Sequence, residues 1–597
     1  MNKKYINGES LYYAIISGCN EIINKKEYLN KINVFPVPDG DTGTNMGASA
    51  RHISDNLEYS KAVLDVLKSA SDLSIMGARG NSGIILSQFF YGVFKECPSG
   101  QESLDTLDIA NMMKGSVKYI YGSIENPKEG TILTLIKEWA DILKKEVEKE
   151  TDMKKAFLTS YDKAGVVLKN TENAIEEMTN TKIVDSGAQG FYEFLTGIKK
   201  YIVNEEWNKI EEKEATAEEL KEEKIFIEHD LENIKYRYCT EAIILPNSKY
   251  NKETMKKLLL EFGDSIIVSE YSDRIKLHVH TNDTIELFFK IRNYGTIIHQ
   301  KVDDMGMQQN VVRNRKSKVA IVTDSSCDLP KELIDELQIH VLPIKIMIGD
   351  NVYLEKYTLD AETFNRVIDG TEDVIKTSQP DMFTIQNKYE FLLSYYDSII
   401  VVNLSKGLSG TYNICKLTTE RVDDGKITVI NSKSLSIKLG MIVEEAAKLA
   451  NDGATHEEIV TNIRENIENI KEYATLNTIE DLTNGGRMNN VKGKVIKTLV
   501  EVLNFKPILS LNEEGKVYLV DKAFSTNSGY KKSVNLFEKK NGKIEKYAVS
   551  YVKDIEAAKE YEKIMQDRFK KDAKYIMSVT PCIAIHLGRG AVLAAGK

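Results

Sequence analysis

The residues best suited to chemistry in this 597-residue chain stand together near its start. In NVFPVPDGDTGTNM (33–46), Asp39 and Asp41 lie two residues apart in a stretch held by Pro36, Pro38, Gly40 and Gly43. The prolines fix φ and stiffen the approach. The glycines let backbone N–H groups come close to an anion. Two hard carboxylate oxygens on such a turn suit a Mg²⁺ ion that carries nucleotide phosphates. Thr42, Thr44 and Asn45 add neutral donors, and Asn33 opens the string. An isolated Asp-Gly-Asp is an ordinary solvated turn; the whole string is what sets this one apart.

Three further segments also suit an anion. GARGNSG (77–83) brings Gly80, Asn81, Ser82 and Gly83 to the start of an apolar helix, IILSQFF. A helix N-terminus behind flexible glycines binds anions through its free N–H groups and its dipole, and Asn81 and Ser82 offer contacts to phosphate oxygens. PKEGTILT (127–134) places Glu129, Gly130 and Thr131 ahead of another helix, and VDSGAQG (184–190) repeats the design with Asp185, Ser186 and Gly187. Each alone is equally a common helix cap. Arg79 serves either as transition-state electrostatics or as half of a salt bridge.

A second cluster joins Cys239, in YRYCTE, to His278 and His280, in KLHVHTN. His-x-His on a strand puts both rings on one face, because strand side chains alternate. A cysteine from a neighbouring strand gives three N/S ligands suited to Zn²⁺. The alternative is a pair of packed histidines beside an ordinary buried cysteine. No fourth ligand is identifiable; an open position permits catalysis and a closed one means a structural role.

The C-terminal half carries DSSCDLP (324–330), TSQP (377–380), KGLSGTYN (406–413), NGGRM (484–488), FKPIL (505–509) and IHLGRG (585–590). Short hydroxyl- and Gly-rich turns at strand ends supply neutral donors for a carboxylate. Serine beside glycine equally caps turns, and His586 by itself reads as a satisfied buried histidine.

These residues need elements to position them. Val63–Met76, Leu104–Tyr121 and Ile132–Val147 carry apolar residues at three- and four-residue spacing, which predicts an all-α domain over 1–203. The charged segment 204–224, NEEWNKIEEKEATAEELKEEK, reads as a solvated linker or exposed helix. Within 225–305, TEAIILP, SIIVSEY and RIKLHVHTN read as strands. NKETMKKLLLEF and DTIELFFKIRNYG read as helices, giving a small α/β domain. Residues 306–317 (GMQQNVVRNRKS) form a polar, basic junction. From KVAIVTDSSCDLP onward, SIIVVNLS, ITVINS, a helix from Ser436 to Asn451, KYAVSYV and CIAIHLG continue an alternation of strands and helices. This predicts a two-lobed α/β domain over 318–597.

With 42% hydrophobic and 28% charged residues, the composition is that of a multidomain globular protein. A net charge of −9 argues against nucleic acid as a partner, since a phosphate-backbone footprint needs excess Lys and Arg on one face. No apolar run reaches the ~18–20 residues of a membrane span. The start, MNKKYINGES, lacks the apolar core of a signal peptide. The six cysteines are scattered without framework spacing, which predicts a reduced, cytoplasmic protein.

The four phosphate-type strings, in this order, resemble the nucleotide-binding domain of dihydroxyacetone kinases, and more closely the kinase component of bacterial fatty acid kinases. The resemblance spans residues 1–200. It implies a DhaL-like helical barrel that binds ATP at one end through Mg²⁺ held by acidic side chains. Asp39 and Asp41 match the metal-binding aspartates. Asn33 stands as a Mg²⁺ ligand where the dihydroxyacetone kinases have an earlier aspartate. CTE followed by KLHVHTN resembles the middle domain of fatty acid kinase, in which such residues bind zinc. The six C-terminal strings resemble the DegV family of fatty-acid-binding proteins. They imply an apolar tunnel with Thr377, Ser378, Ser409 and His586 around an acyl carboxylate, and Arg487 lining or closing the pocket. Two departures stand out: Gly588-Arg589-Gly590 replaces the usual GPG, and Lys522 offers a lysine where many members carry an arginine.

Together these resemblances imply a fatty acid kinase with its carrier in the same chain. It would transfer the ATP γ-phosphoryl group to a long-chain fatty acid and give acyl phosphate for phospholipid synthesis. The expected partners are a second copy of the chain, separate DegV-like carriers and an acyltransferase that uses acyl phosphate. The alternatives are a non-catalytic nucleotide- and lipid-binding regulator, and a kinase of a small polyol such as glycerone.

Overall fold

The apolar spacing of the first 200 residues resolves into helices. In a computed structural model, the residues described are 5–33, 42–100, 102–174, 183–204, 234–368, 372–422, 425–477 and 505–597. Asp39, Asp41, Arg487 and the charged segment after Asn204 lie outside them. The helices are α1 (Gly8–Asn24), α2 (Lys26–Lys31), α3 (Thr42–Asn56), α4 (Val63–Gly77), α5 (Gly80–Lys95), α6 (Thr106–Ser123), α7 (Ile132–Lys149), α8 (Met153–Asn170) and α9 (Ser186–Asn204). Helix α6 starts two residues later than the spacing predicts. Asp105 caps it by accepting the Asp108 N–H at 2.8 Å. Leu104 instead belongs to a short strand, β2 (Ser103–Asp105), antiparallel to β1 (Tyr5–Asn7).

The apolar faces meet in one core. Phe89, Trp139, Phe191 and Phe194 are each at most 3% exposed, and their rings meet mostly edge to face. Each such side chain contributes about 1.5–3 kcal/mol by leaving water. Helices α1 and α9 approach through glycines: a methyl group on Gly197 would lie 2.1 Å from Ser17 O. Ser17 Oγ also donates to Gly197 O at 2.7 Å. Gly197→Ala is therefore expected to destabilise the chain by about 1–3 kcal/mol through overpacking, read as a lower urea midpoint at unchanged slope.

The chain divides into two compact units, residues 1–282 with 302–306, and 283–301 with 307–597. The first holds the helices and three antiparallel strands, β3 (Tyr238–Pro246), β4 (Gly263–Glu270) and β5 (Ile275–Thr281), in the order β4-β5-β3. Helix Lys252–Phe262 connects β3 to β4. These strands coincide with the three predicted runs. The helical region and the strands share a small apolar seam of Ala78, Ile84 and Ile267. Strand β6 spans Gly295–Asp304.

The predicted polar junction at 306–317 is helical over Met305–Asn314. Its reason is a pair of apolar residues one turn apart: Met307 and Val311 are 8% and 1% exposed. The basic character of the string masked them.

In the second unit, β7 (Val319–Asp324), β8 (His340–Leu342), β12 (Ser398–Asn403) and β13 (Ile427–Asn431) form a parallel sheet in the order β13-β12-β7-β8. A three-stranded sheet sets β9 (Lys345–Ile348) between β10 (Asn351–Leu354) and β11 (Ile375–Ser378). A six-stranded sheet joins β14 (Lys471–Thr475), β15 (Lys506–Leu511), β16 (Val517–Ala523), β17 (Tyr547–Tyr551), β18 (Ile576–Ser578) and β19 (Val592–Gly596). Sheets with helical connections give the predicted α/β class. Among the described residues, no helix is long and apolar enough to cross a membrane.

Candidate functional site

Four helices begin at the four phosphate-type strings, and their N-termini meet. Thr42 opens α3, Gly80 opens α5, Ile132 opens α7 and Ser186 opens α9. The Asn33 Oδ1 atom accepts from Thr42 Oγ1 at 2.8 Å and from Ser186 Oγ at 3.2 Å, so α3 and α9 are both pinned to Asn33. Asp185 Oδ2 accepts from Ile132 N at 3.0 Å and Ala188 N at 2.7 Å, which ties the starts of α7 and α9. Burial pushes the Asp185 carboxyl up to about 6, against the pull of these two amides. Helix α5 meets α3 where Gly80, at φ +57°, faces Asn45: a methyl group there would lie 2.6 Å from Asn45 Nδ2. It meets α9 at Gly187, where a methyl group would lie 2.9 Å from Ser82 Oγ.

The geometry thus brings Asn33, Thr42, Asn45, Gly80, Ser82, Asp185, Ser186 and Gly187 together. Converging helix N-termini sum their dipoles, a setting for phosphate oxygens. Asn81 Oδ1 is buried here without a hydrogen-bond partner among the described residues. Other predicted residues hold the frame. Thr44 bonds Asn30 through both its amide, at 2.9 Å, and its hydroxyl, at 3.0 Å. Thr131 caps α7 and donates to Lys128 O at 2.8 Å. The Gly130 amide donates to Thr134 Oγ1 at 2.8 Å, and Glu129 accepts from Tyr121 at 2.9 Å. Gly83 packs against Ser49, whose Oγ accepts the Arg79 amide at 3.2 Å. Burial first, and then the Arg79 charge, hold the His52 ring below its usual range.

In the strand region, the register sets Cys239 opposite His280 and Glu241 opposite His278. The ligating atoms of Cys239, His278 and His280 all lie within 4.8 Å of one another. Cys239 Sγ is 4.0 Å from His278 Nδ1. His278 is fully buried, and its Nε2 has no hydrogen-bond partner among the described residues. Burial, and then the neighbouring His278, push His280 down to about 3, which keeps its ring in the neutral form that ligates metals. The donor set, its burial and its unused nitrogen fit a zinc ion.

Sequence reasoning missed two residues here. Glu241 Oε1 accepts the Gly80 amide at 2.7 Å. Lys276, 2% exposed, pairs with Glu241 at 3.2 Å and donates to Ala78 O at 2.6 Å. Charged residues at core-facing positions of apolar strands were the available signal.

In the second unit, Thr377 and Ser378 end β11, while Ser409 precedes the helix Thr411–Val422. These turns meet: a methyl group on Gly410 would lie 2.1 Å from Gln379 Oε1. Ser409 Oγ is 2.9 Å from Thr411 Oγ1. His586 lies in the last turn of helix Pro581–Leu587. The start of that helix is fixed to the DSSCDLP turn, since Thr580 N donates to Asp328 at 3.2 Å. Glu355 bridges the same region, accepting from Cys582 N at 2.6 Å and from Ser325 Oγ at 2.5 Å. Burial pushes Glu355 up to about 7. Of the two departures, Arg589 is exposed, and Lys522 is exposed beside the Phe505 ring at 5.7 Å.

Comparison with known proteins gives three family matches in chain order. A DAK2 domain matches residues 36–200, the FakA-like middle domain of fatty acid kinases matches 235–312, and the DegV family matches 318–595. The uncharacterized protein SH1689 of Staphylococcus haemolyticus is 31% identical over 386 residues, which cover 62% of this chain and 67% of that protein. The uncharacterized protein SAB1090 of Staphylococcus aureus is 33% identical over 326 residues, 53% of this chain and 58% of its own length. Among solved structures, DegV of Bacillus subtilis, a fatty acid binding protein, aligns at 24% identity with a TM-score of 0.43. It covers 47% of this chain and 99% of its own. A DegV family protein of Thermus thermophilus, described by its fatty acid binding, aligns at 23% identity with a TM-score of 0.42, covering 47% and 99%. With a DAK2 domain, a fatty acid kinase-type middle domain and a DegV domain in one polypeptide, the chain belongs to the fatty acid kinase-like family.

Proposed function

We propose that this chain is a fatty acid kinase that transfers the γ-phosphoryl group of ATP to the carboxylate of a fatty acid held by its own DegV domain. The observation that carries the reading is the meeting of four helix N-termini at the four phosphate-type strings of the DAK2 domain. Phosphoryl transfer needs positioning and charge neutralisation more than covalent chemistry. The dipoles of the α5, α7 and α9 N-termini and the Asn81 and Ser82 side chains serve the phosphate oxygens. Asp39 and Asp41 are the residues that hold Mg²⁺, which when bound supplies neutralisation of the phosphate charge. The acceptor carboxylate, with an ordinary pKa of about 4, is already ionised at neutral pH and needs no general base. Thr377, Ser378, Ser409 and His586 are the donors that orient it, with Arg487 at the pocket. Cys239, His278 and His280 hold zinc. The reading includes a homodimer and an acyltransferase that consumes the acyl phosphate.

Trapping with hydroxylamine tests this. Purified full-length chain, incubated with MgATP and a series of saturated and unsaturated fatty acids, is expected to yield acyl hydroxamate only when Mg²⁺, ATP and fatty acid are all present. Fatty acid retained by the chain without any hydroxamate would sink the kinase reading in favour of a lipid-binding regulator. Product from glycerone alone would mark a polyol kinase.

A further inference from the structure

The peptide between α4 and α5 is gripped by the strand pair β3/β5. Lys276 Nζ donates to Ile75 O at 3.2 Å and Ala78 O at 2.6 Å, at the end of α4. Glu241 Oε1 accepts from Gly80 N at 2.7 Å, at the start of α5. A cation therefore meets the carbonyl end of one helix and an anion the amide end of the next, the signs that the two helix dipoles favour. The two side chains pair with each other at 3.2 Å while 2% and 4% exposed.

The same sheet face carries the metal-ligand trio. Side chains two apart on a strand share a face, so Cys239 and Glu241 on β3 project with Lys276, His278 and His280 on β5. Glu241 Oε1 lies 3.7 Å from His278 Nδ1. The carboxylate thus stands between a metal ligand and the Gly-rich loop. A buried ion pair adds little net stability, because desolvation offsets the attraction. What it fixes is geometry: both ends of the loop 77–83 are set by one rigid pair whose neighbour is His278.

We infer that Glu241 and Lys276 are positioning residues for the Gly-rich loop and couple metal binding at Cys239, His278 and His280 to nucleotide binding at the helix N-termini. The nucleotide arm of this inference rests on the function proposed above. A metal that fixes His278 fixes the neighbouring Glu241, and Glu241 fixes the Gly80 amide. Loss of the metal loosens that chain of contacts without removing any group that touches nucleotide.

Two measurements on the full-length chain test the coupling. The first is calorimetric titration with MgATP, before and after removal of zinc by chelation. Affinity is expected to fall about five- to tenfold on chelation, the range of a modest coupling free energy. Glu241→Ala with zinc is expected to show a similar loss and no further change on chelation. Glu241→Gln, which keeps an oxygen for the Gly80 amide, is expected to recover most of the affinity. The second is hydrogen exchange of the 77–83 amides in the unsubstituted chain, expected to quicken when zinc is removed. Exchange of these amides that is unaffected by zinc overturns the inference, whatever the variants do. A chain that binds no MgATP in any state defeats the nucleotide-binding reading instead, and the exchange measurement, which needs no nucleotide, still decides whether the metal site controls the loop.

Discussion

Asp41→Ala is expected to lower ATP-dependent acyl phosphate formation by about 10²–10³-fold, the cost of deleting one preorganised charge-stabilising group. In the proposed reaction the acceptor and the triphosphate are both anions, so their approach would be repulsive until a cation stood between them. At 4 Å that repulsion is about 4 kcal/mol per charge pair at an effective dielectric near 20. Asp41 lies two residues from Asp39 in the Gly-rich string, so its loss would leave one carboxylate where two would hold the ion. Asp41→Asn keeps the shape and one neutral oxygen, and is expected to lose activity less severely than alanine. The assay is hydroxamate yield at saturating fatty acid across a Mg²⁺ titration. Fatty acid retention by the DegV domain should not change, because residue 41 lies outside it. Wild-type rates in Asp41→Ala would show that the turn does not serve the reaction.

Removal of zinc is the second large effect. The purified chain is expected to carry one equivalent of zinc, and Cys239→Ser to carry almost none. The remaining histidines make a poor site, since the thiolate is the one anionic ligand of the trio. Ligand bound only by the folded state stabilises it by about 4 kcal/mol when free metal stands 1,000-fold above its Kd. Chelation should therefore lower the unfolding temperature of the native chain and leave that of Cys239→Ser unmoved. Co²⁺ in place of Zn²⁺ should give a thiolate charge-transfer band that Cys239→Ser abolishes. Equal metal content in both proteins would show that the ion is held elsewhere.

Much of this was readable from local patterns. Helical spacing located α4 and α7, with ends shifted by no more than two residues. Period-two alternation gave β3 to β5 and put both histidines on one face. The Gly-rich strings marked the helix starts because glycine lets the backbone turn into a helix in close contact with its neighbours, as Gly80 does at φ +57°. What failed had non-local causes. The Asp185 cap draws one of its two amides from α7, at Ile132. Glu241 finds its partner 161 residues away in sequence, and no window along the chain contains both. The donors of the DegV turns were named individually, yet the contact of Gly410 with Gln379 is a tertiary fact.

The grip of β3 and β5 on the Gly-rich loop bears on modularity. Sequence suggests a natural cut after the helical region, where a charged run separates it from the strands. Severing the chain there would strip Glu241 from the Gly80 amide, strip Lys276 from the Ala78 carbonyl, and bare the apolar side of Ile84 that faces Ile267. The helical region and the strand pair are held as one piece: any recombination that exchanged the DegV part would have to keep these helices together with β3 and β5.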